Sequence, residues 1–323
     1  MALPTYASPL ERIWYYAFRM ICALIFLFLI APILVIIPLS FNAEPYFTFT
    51  PKMLAFDPAG YSWRWYDMLL TLGHPAPDGP RDDAWWAAAW ESATWVKAAK
   101  NSLWIGMWAT VLATFLGTLA ALGLSRPEMP YRRLITAILI SPMIVPIIII
   151  AVGMSFFFAK ACVDPASAMG MIFGPFLSDK GCLANSSLGV IVAHATLGIP
   201  FVIITVTATL SGFDQSLVRA SASLGASPRT TFFKVIMPLI LPGVVSGALF
   251  AFVTSFDEVV AVLFIAGPQQ QTIPRQMFNG IREAISPAIL AVATLLVIIS
   301  IALLATVELL RRRSDRLRGV TGV

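Results

Sequence analysis

An acidic pair interrupts one of the long apolar stretches of this 323-residue sequence. Asp257 and Glu258 follow a charge-free run that begins at residue 235, and the apolar character then continues to about Ile265. A carboxylate within such a stretch is costly to desolvate, so it is expected to face a cavity or a partner. The pair could attract a cationic solute, or it could serve as an interhelical hydrogen-bonding group or a polar gate. Adjacent helical residues point about 100° apart, which favours only one of the two facing a pathway.

Other polar residues lie in or beside apolar runs. His194 lies in the charge-free run 181–213. Such a histidine is more often a packing residue with a satisfied hydrogen bond than part of a pathway, and both interpretations stay open. Cys162 and Cys182 flank a loop that could hold a disulfide if it faces an oxidising compartment. Sequence spacing does not give the geometry that the bond requires, so two free thiols are the alternative.

Enzyme chemistry has no visible site in this sequence. No G-x-x-x-x-G-K-[ST] phosphate loop occurs, so ATP binding in that manner is excluded. The two histidines and three cysteines do not have metal-ligand spacing, and no G-x-S-x-G motif occurs. We therefore expect no catalytic residues, no metal site and no cofactor.

The composition indicates a membrane protein. Hydrophobic residues make up 58% of the chain and charged residues only 12%, with a mean hydropathy of +0.82. A soluble domain has about a quarter of its residues charged. So few charges cannot cover a water-facing surface, which excludes a soluble enzyme, a nucleic-acid-binding protein and a disordered scaffold. We predict an all-α polytopic membrane protein.

Six apolar runs are long enough to cross a bilayer, which needs about 20 residues. We expect six transmembrane helices in a domain of residues 20–310, at about 20–43, 101–125, 134–159, 187–213, 237–265 and 284–308. Around them we expect an N-terminal segment 1–19, external loops 44–100, 160–186 and 266–283, a cytoplasmic loop 214–236 and a basic tail 311–323. The first run is too long for a secretory signal and is expected to be retained. The tryptophan-rich segment 85–100 is expected to form a helix on the membrane surface.

The spans also contain helix-interrupting residues. Prolines remove backbone hydrogen bonds, which membrane helices tolerate where neighbouring helices or a cavity compensate. They predict kinks or, in a sharper interpretation, movable gates, at Pro142, Pro146, Pro200, Pro238 and Pro242.

The distribution of charge orients the six helices. If both termini and the loops 126–133 and 214–234 share one side, that side carries 13 bases and five acids, a charge of +8. The opposite side has a charge of −1, and the acidic pair adds −2, which together give the formal net charge of +5. The positive-inside rule then predicts cytoplasmic termini. The basic excess is interpreted as an orientation signal, not as a nucleic-acid-binding patch.

The loop between the fourth and fifth spans has the pattern of a short helix-turn-helix. Residues 216–224 have helical spacing but are too few to cross a membrane. Gly225 permits a tight turn, and Ser227 followed by Pro228 favours a new helix with proline at its first position. From these residues alone the segment could also be a simple connector.

This loop resembles the EAA motif of permeases from binding-protein-dependent ABC importers. In that pattern E-A-A is followed by three residues, a glycine, nine residues and I-x-L-P. Gly225 and Pro238 fall at matching positions, and Ala220 occupies the second slot. Further similarity lies in Asn101-Ser102-Leu103, Pro200-Phe201-Val202 and the segment 255–259. Over roughly residues 95–310 the chain most resembles the second permease subunit of spermidine/putrescine-type importers.

The resemblance implies a type I ABC importer permease fold in the bacterial inner membrane. It further implies an ATPase dimer, a second homologous permease subunit, an extracytoplasmic substrate-binding protein, and a small organic solute for which a polyamine such as putrescine or spermidine is favoured. The residues of the implied coupling helix and its turn are Arg219, Ala220, Ser221, Gly225, Ala226, Ser227 and Pro228. The candidate pathway residues, which rest on their polar character within apolar spans, are His194, Ser255, Asp257 and Glu258.

Two departures and one alternative accompany this resemblance. Arg219 stands where the motif has glutamate, and Ser221 stands where it has the second alanine. A reversed charge would create repulsion unless the partner is complementary, so we expect an ATPase groove matched to Arg219. The alternative function is an ion-coupled secondary transporter acting without an ATPase. Such proteins often contain inverted repeats with broken helices, and none is evident.

Overall fold

The computed structural model describes residues 8–126, 128–164, 167–214, 216–283 and 286–317, and within them it contains helices and no β-strand. The chain divides into two compact units, Met1–Ala89 with Gly280–Val323, and Trp90–Asn279. The helices run in chain order as α1 (Pro9–Leu39), α2 (Pro51–Leu54), α3 (Arg64–Thr71), α4 (Asp83–Ser92), α5 (Thr94–Leu124), α6 (Arg132–Ile144), α7 (Ile147–Lys160), α8 (Ala168–Phe173), α9 (Ser187–Ser211), α10 (Ser216–Ser223), α11 (Pro228–Thr231), α12 (Met237–Asp257), α13 (Val260–Ile265), α14 (Ile273–Glu283) and α15 (Ala288–Leu317).

The first unit contains the N-terminal helix α1, which packs on α15. Its start is fixed by a capping box, in which Ser8 Oγ accepts from the Glu11 amide and the Glu11 carboxylate accepts from the Ser8 amide. The most apolar 18-residue window of α1 is 0% buried. A helix that is apolar all round and unburied is typical of a membrane span.

The core of the second unit consists of α5, α9 and α12, which pack against one another. Val202 of α9 has no exposed surface and lies between Gly117 of α5 and Gly247 of α12. A Cβ atom on Gly117 would lie 2.7 Å from Val202 Cβ, and one on Gly247 would lie 2.8 Å from Val202 Cα. Membrane helices associate through close packing, because lipid provides no hydrophobic driving force between them, and small residues permit this close approach. We call these three residues the Val202 clasp.

The third span, expected over 134–159, is broken into two helices at Pro146, one of the two prolines of this span at which a kink or gate is predicted. α6 and α7 meet at an angle of 103°. Pro146 lacks an amide hydrogen and disfavours the α conformation of the residue before it. Val145 is accordingly extended, with φ −72° and ψ 137°, and the helix ends there.

The second and fifth spans also differ from the expected boundaries. The surface helix expected over 85–100 is wrong as a single element, because α4 ends at Ser92 and α5 begins at Thr94. The fully buried Ala93 between them is extended, so residues from Thr94 onward form the first turns of the second span. In the fifth span, α12 ends at Asp257 and α13 begins only at Val260, so the acidic pair lies at a helix break.

A π-helical turn, Phe232–Ile236, joins α11 to α12. In it the amide of Met237 donates to the carbonyl of Phe232, five residues earlier. Pro238 cannot donate to the carbonyl four residues before it, and its ring crowds that carbonyl. The wider π turn is one way in which a helix accommodates such a position.

The number of apolar segments agrees with the predicted topology. Among the described residues, four helices are long and apolar enough to cross a membrane, and the bent pair α6–α7 can count as a fifth span. The shorter apolar stretch Ala288–Ala302 lies within the 30-residue helix α15. These six segments correspond to the six predicted spans.

Candidate functional site

The second unit has two ends that carry different groups. One end holds the hairpin of helices α10 and α11, and we call it the hairpin end. The opposite end holds a disulfide between Cys162 and Cys182, and we call it the disulfide end. Helix α9 runs from the disulfide end, where it begins at Ser187, to the hairpin end.

The hairpin starts at an acidic residue that precedes α10. Asp214 Oδ1 accepts from the Ser216 amide at 2.8 Å, and Asp214 Oδ2 accepts from the Ser216 hydroxyl at 2.6 Å. Hydrogen bonds from the Ser216 side chain and then from its amide lower the pKa of this exposed carboxyl below its usual value. Asp214 therefore stays charged at neutral pH beside the first turn of α10, where a negative charge is favourable.

The turn between α10 and α11 is built as the sequence predicts. Gly225 has φ +76°, a left-handed conformation that glycine adopts without strain. Ser227 caps α11 by accepting from the Thr230 amide at 3.3 Å, and Pro228 is the first helical residue. The hydroxyls of Ser221 and Thr231, both buried, lie 2.7 Å apart and join the two helices. Ser221, which departs from the EAA pattern, thus forms a hydrogen bond that joins the two helices of the hairpin.

The outer face of the hairpin is basic and apolar. Arg219 is exposed and forms no salt bridge with any residue that the structure describes. Leu224 is 87% exposed at the tip, and Leu217 is also exposed. Exposed large apolar side chains grouped with a basic side chain are typical of a surface that binds a partner.

A polar contact joins α9 to α12 within the core. His194 Nδ1 lies 2.8 Å from Ser255 Oγ, and both side chains are buried. His194 Nε2 is also buried and has no hydrogen-bond partner among the described residues. Ser187 and His194 are seven residues apart, so this contact lies about 10 Å from the start of α9. It is therefore nearer to the disulfide end than to the hairpin end.

The two carboxylates at the α12–α13 break have different surroundings. Glu258 is buried, and its Oε1 accepts from the Ala261 amide at 2.9 Å, which caps the start of α13. Asp257 is exposed. As expected from helical geometry, the two side chains do not share one environment, and the exposed carboxylate belongs to Asp257.

Loops at the disulfide end are held by side chains that bind backbone carbonyls. Arg275 donates to the carbonyls of Ala266 and Gly267, at 3.0 and 3.1 Å, just beyond the C-terminus of α13. Asn101 Nδ2 donates to the carbonyls of Gln269 and Gln271, at 2.7 and 3.0 Å. α13 is thus held by a carboxylate at its start and by a guanidinium at its end.

The family of the chain is decided by a comparison with family models. Residues 113–318 match the model described as "Binding-protein-dependent transport system inner membrane component". This range is more than half of the chain. The chain belongs to this family. The permease subunit that the EAA resemblance predicted is therefore confirmed, and this result favours an importer over the ion-coupled alternative.

Individual relatives agree with this assignment over most of their length. The permease is 28% identical to the spermidine/putrescine transport system permease protein PotC of Haemophilus influenzae over 291 residues, which cover 90% of this chain and 95% of that protein. It is 31% identical to the putrescine transport system permease protein PotI of Escherichia coli K12 over 276 residues, which cover 84% of this chain and 82% of that protein.

A solved structure shows the same fold. The crystal structure of a bacterial ABC transporter involved in the import of the acidic polysaccharide alginate contains a chain that matches with a TM-score of 0.61. The match covers 94% of this permease and 99% of that chain at 15% sequence identity. The family match and the relatives, not this structure, give the role: the permease is a multi-pass inner-membrane subunit of an ABC importer, a transport component that works with an ATPase and a substrate-binding protein.

The structure brings some of the predicted site residues together. The seven residues of the implied coupling motif all lie on the hairpin, and His194 contacts Ser255. The sequence did not reveal Arg275, because a lone arginine in a predicted loop gives no local signal. Asn101 was noted only through the family resemblance. Its position in the first turns of a long apolar helix is the signal that could have marked it as a binding group.

Proposed function

We propose that the permease forms half of the translocation pathway for a small polycation of the polyamine class, such as putrescine or spermidine. The observation that carries this proposal is the similarity to PotC and PotI over at least four fifths of the chain. The exposed carboxylate of Asp257 supports it, since a negative group at a helix break within an apolar segment would attract a cation. A second homologous permease chain forms the other half of the pathway.

The hairpin end is proposed to face the cytoplasm and to dock in a groove of an ATPase dimer. Support comes from the charge of +8 on the side to which the sequence pattern assigns the 214–234 loop and both termini. ATP is hydrolysed on the ATPase chains, and the permease itself catalyses no reaction. The disulfide end receives the substrate-binding protein, in keeping with a disulfide in an oxidising compartment.

Reconstitution tests this function directly. The permease, its second permease, the ATPase and the binding protein are incorporated into proteoliposomes with radiolabelled putrescine and spermidine outside. We expect uptake that requires ATP inside the vesicles and that is unchanged when ion gradients are collapsed. Uptake by the permease alone under an ion gradient would overturn the proposal. Uptake of an anionic solute instead of polyamines would overturn the substrate class while leaving the importer assignment intact.

Asp257→Asn is expected to reduce polyamine uptake more than Glu258→Gln. The first change removes an exposed charge, and a hydrogen bond to a charged group contributes about 1.5–3 kcal/mol, or about tenfold or more. The second change leaves an oxygen that can still accept from the Ala261 amide, so the cap persists. Uptake at several polyamine concentrations measures the difference. Full uptake by both variants would contradict cation recognition at this break.

Arg219→Glu tests whether the ATPase groove matches this chain. The variant restores the acidic residue of the EAA pattern but places it against a groove complementary to arginine. We expect reduced co-purification of the ATPase and about tenfold lower transport, since like-charge contacts at interfaces are strongly unfavourable. Arg219→Lys, which keeps the charge, is the control. Unchanged assembly and transport of Arg219→Glu with the native ATPase would show that no such matching exists.

A further inference from the structure

A cavity of about 560 Å³ opens beside the first half of the bent third span. Its walls come from the hairpin-end parts of α5, α6 and α9. The side chains that bear on its chemistry are Arg132, Arg133, Thr136, Ile140, Ile203 and Ile204. None of the pathway residues or hairpin residues lines it, so the cavity is separate from the sites already described.

One part of the cavity is strongly basic. Arg132 and Arg133 are exposed, and neither forms a salt bridge with any carboxylate in the described residues. They begin α6, whose preceding residue, Tyr131, provides no side-chain cap for the first amides. The unsatisfied amides of a helix start add to the positive potential of the two guanidinium groups. The rim of the cavity is thus suited to an anion.

The rest of the cavity is apolar. Ile203 is buried in the wall formed by α9, whereas Ile204 is 42% exposed and Ile140 is half-buried. Thr207 also lines this wall, and its Oγ1 is buried without a hydrogen-bond partner among the described residues. Behind the basic rim the cavity therefore presents a wall that is mainly apolar.

We propose that this cavity binds an anionic phospholipid. The phosphate lies at Arg132 and Arg133, and an acyl chain follows the isoleucine wall toward the membrane interior. Basic pockets between membrane helices at the ends of spans are suited to anionic headgroups. A free phosphate or a soluble anion uses only the rim and leaves the apolar wall empty, so the lipid accounts for both halves of the cavity. This inference does not depend on the substrate class or on the hairpin docking.

Native mass spectrometry of the purified importer complex tests the proposal. The complex is delipidated and then incubated with dioleoyl phosphatidylglycerol or with dioleoyl phosphatidylcholine. We compare the native chain with Arg132→Gln/Arg133→Gln, with Arg132→Lys/Arg133→Lys, and with Arg19→Gln/Arg126→Gln, which removes two charges outside the cavity. Ile204→Trp, which fills the apolar wall and keeps both arginines, is a fourth variant.

The expected result is retention of phosphatidylglycerol over phosphatidylcholine by the native chain. Each arginine near an anionic headgroup contributes about fivefold, so the glutamine pair should lose about 25-fold in affinity. The lysine pair and the Arg19→Gln/Arg126→Gln control should retain the lipid, and Ile204→Trp should lose it. Equal retention by the glutamine pair, equal binding of phosphatidylcholine, or full competition by inorganic phosphate would each overturn the proposal. So would cross-linking of residue 133 to a partner chain seated in the cavity.

Discussion

Gly247→Ala is expected to remove most of the correctly folded permease, although it adds a single methyl group. The new Cβ would lie 2.5 Å from Thr205 Oγ1 and 2.8 Å from Val202 Cα. The second of these atoms belongs to the backbone of α9 and cannot rotate away, so α9 and α12 must separate. Overpacking of this kind costs about 1–3 kcal/mol and occasionally more. The loss should appear as a lower melting temperature and a smaller monodisperse fraction after detergent extraction.

Gly123→Ala is the matched control on a helix of the same core. A Cβ at Gly123 would meet nothing within 4 Å, so no neighbour has to move. Alanine is a better helix former than glycine by about 1 kcal/mol, so this variant should equal or exceed the native stability. Gly117→Ala, on the other side of the clasp, should behave like Gly247→Ala. A common response at Gly123 and Gly247 would show that helix propensity, not close approach, governs these positions.

Gly225→Val is expected to abolish ATP-driven transport while leaving the membrane domain folded. A Cβ at this position meets no atom within 4 Å, so the backbone conformation, φ +76°, is the only obstacle. A β-branched residue there is a strong outlier, and backbone strain of this kind costs about 1–3 kcal/mol. The turn should open and separate α10 from α11, because the change strains the turn whose Ala226–Ser221 backbone hydrogen bond and Ser221–Thr231 hydroxyl contact join the two helices. Uptake and co-purification of the ATPase measure the effect.

Gly225→Asn is the control that separates the effect of backbone strain from the effect of replacing the glycine side chain. Asparagine enters the left-handed region at little cost, so this variant should keep at least half of the native uptake. The melting temperatures of both variants should match the native value, because the residue lies in an exposed turn. Transport by Gly225→Val equal to that of Gly225→Asn would mean that the hairpin does not need this turn.

Residue types alone were sufficient to predict the turn of the hairpin, but they were not sufficient to predict which prolines break a helix. Gly225, Ser227 and Pro228 act through their own backbone, so their consequences follow from residue type alone. Pro146 and Pro200 are alike as residues, yet the 25-residue helix α9 continues through Pro200 while the third span bends by 103° at Pro146. Pro200 is buried in the three-helix core, which keeps its helix continuous. Tertiary packing decides which of the two prolines breaks its helix, and the sequence pattern does not record this packing.

The acidic pair was also predicted only in part. The sequence indicated that a carboxylate in an apolar run is costly to desolvate and that the two side chains point in different directions. It did not indicate the use of Glu258 as a cap for α13, because the helix break itself was not predicted. The contacts of Asn101 with the carbonyls of Gln269 and Gln271 join residues that are 168 and 170 positions apart in the chain. No local pattern records such pairings.

The disulfide has a practical consequence for how the chain responds to cleavage. Cys162 and Cys182 are 20 residues apart, so a protease that cuts between them leaves the two parts of the chain covalently joined. On a denaturing gel the nicked protein migrates as one band until a reductant is added, and then as two. Protease added to intact spheroplasts therefore reports through this pair of gels whether the loop is accessible from outside. Because of the disulfide, the accessibility of this loop can be measured on the native chain without an introduced tag.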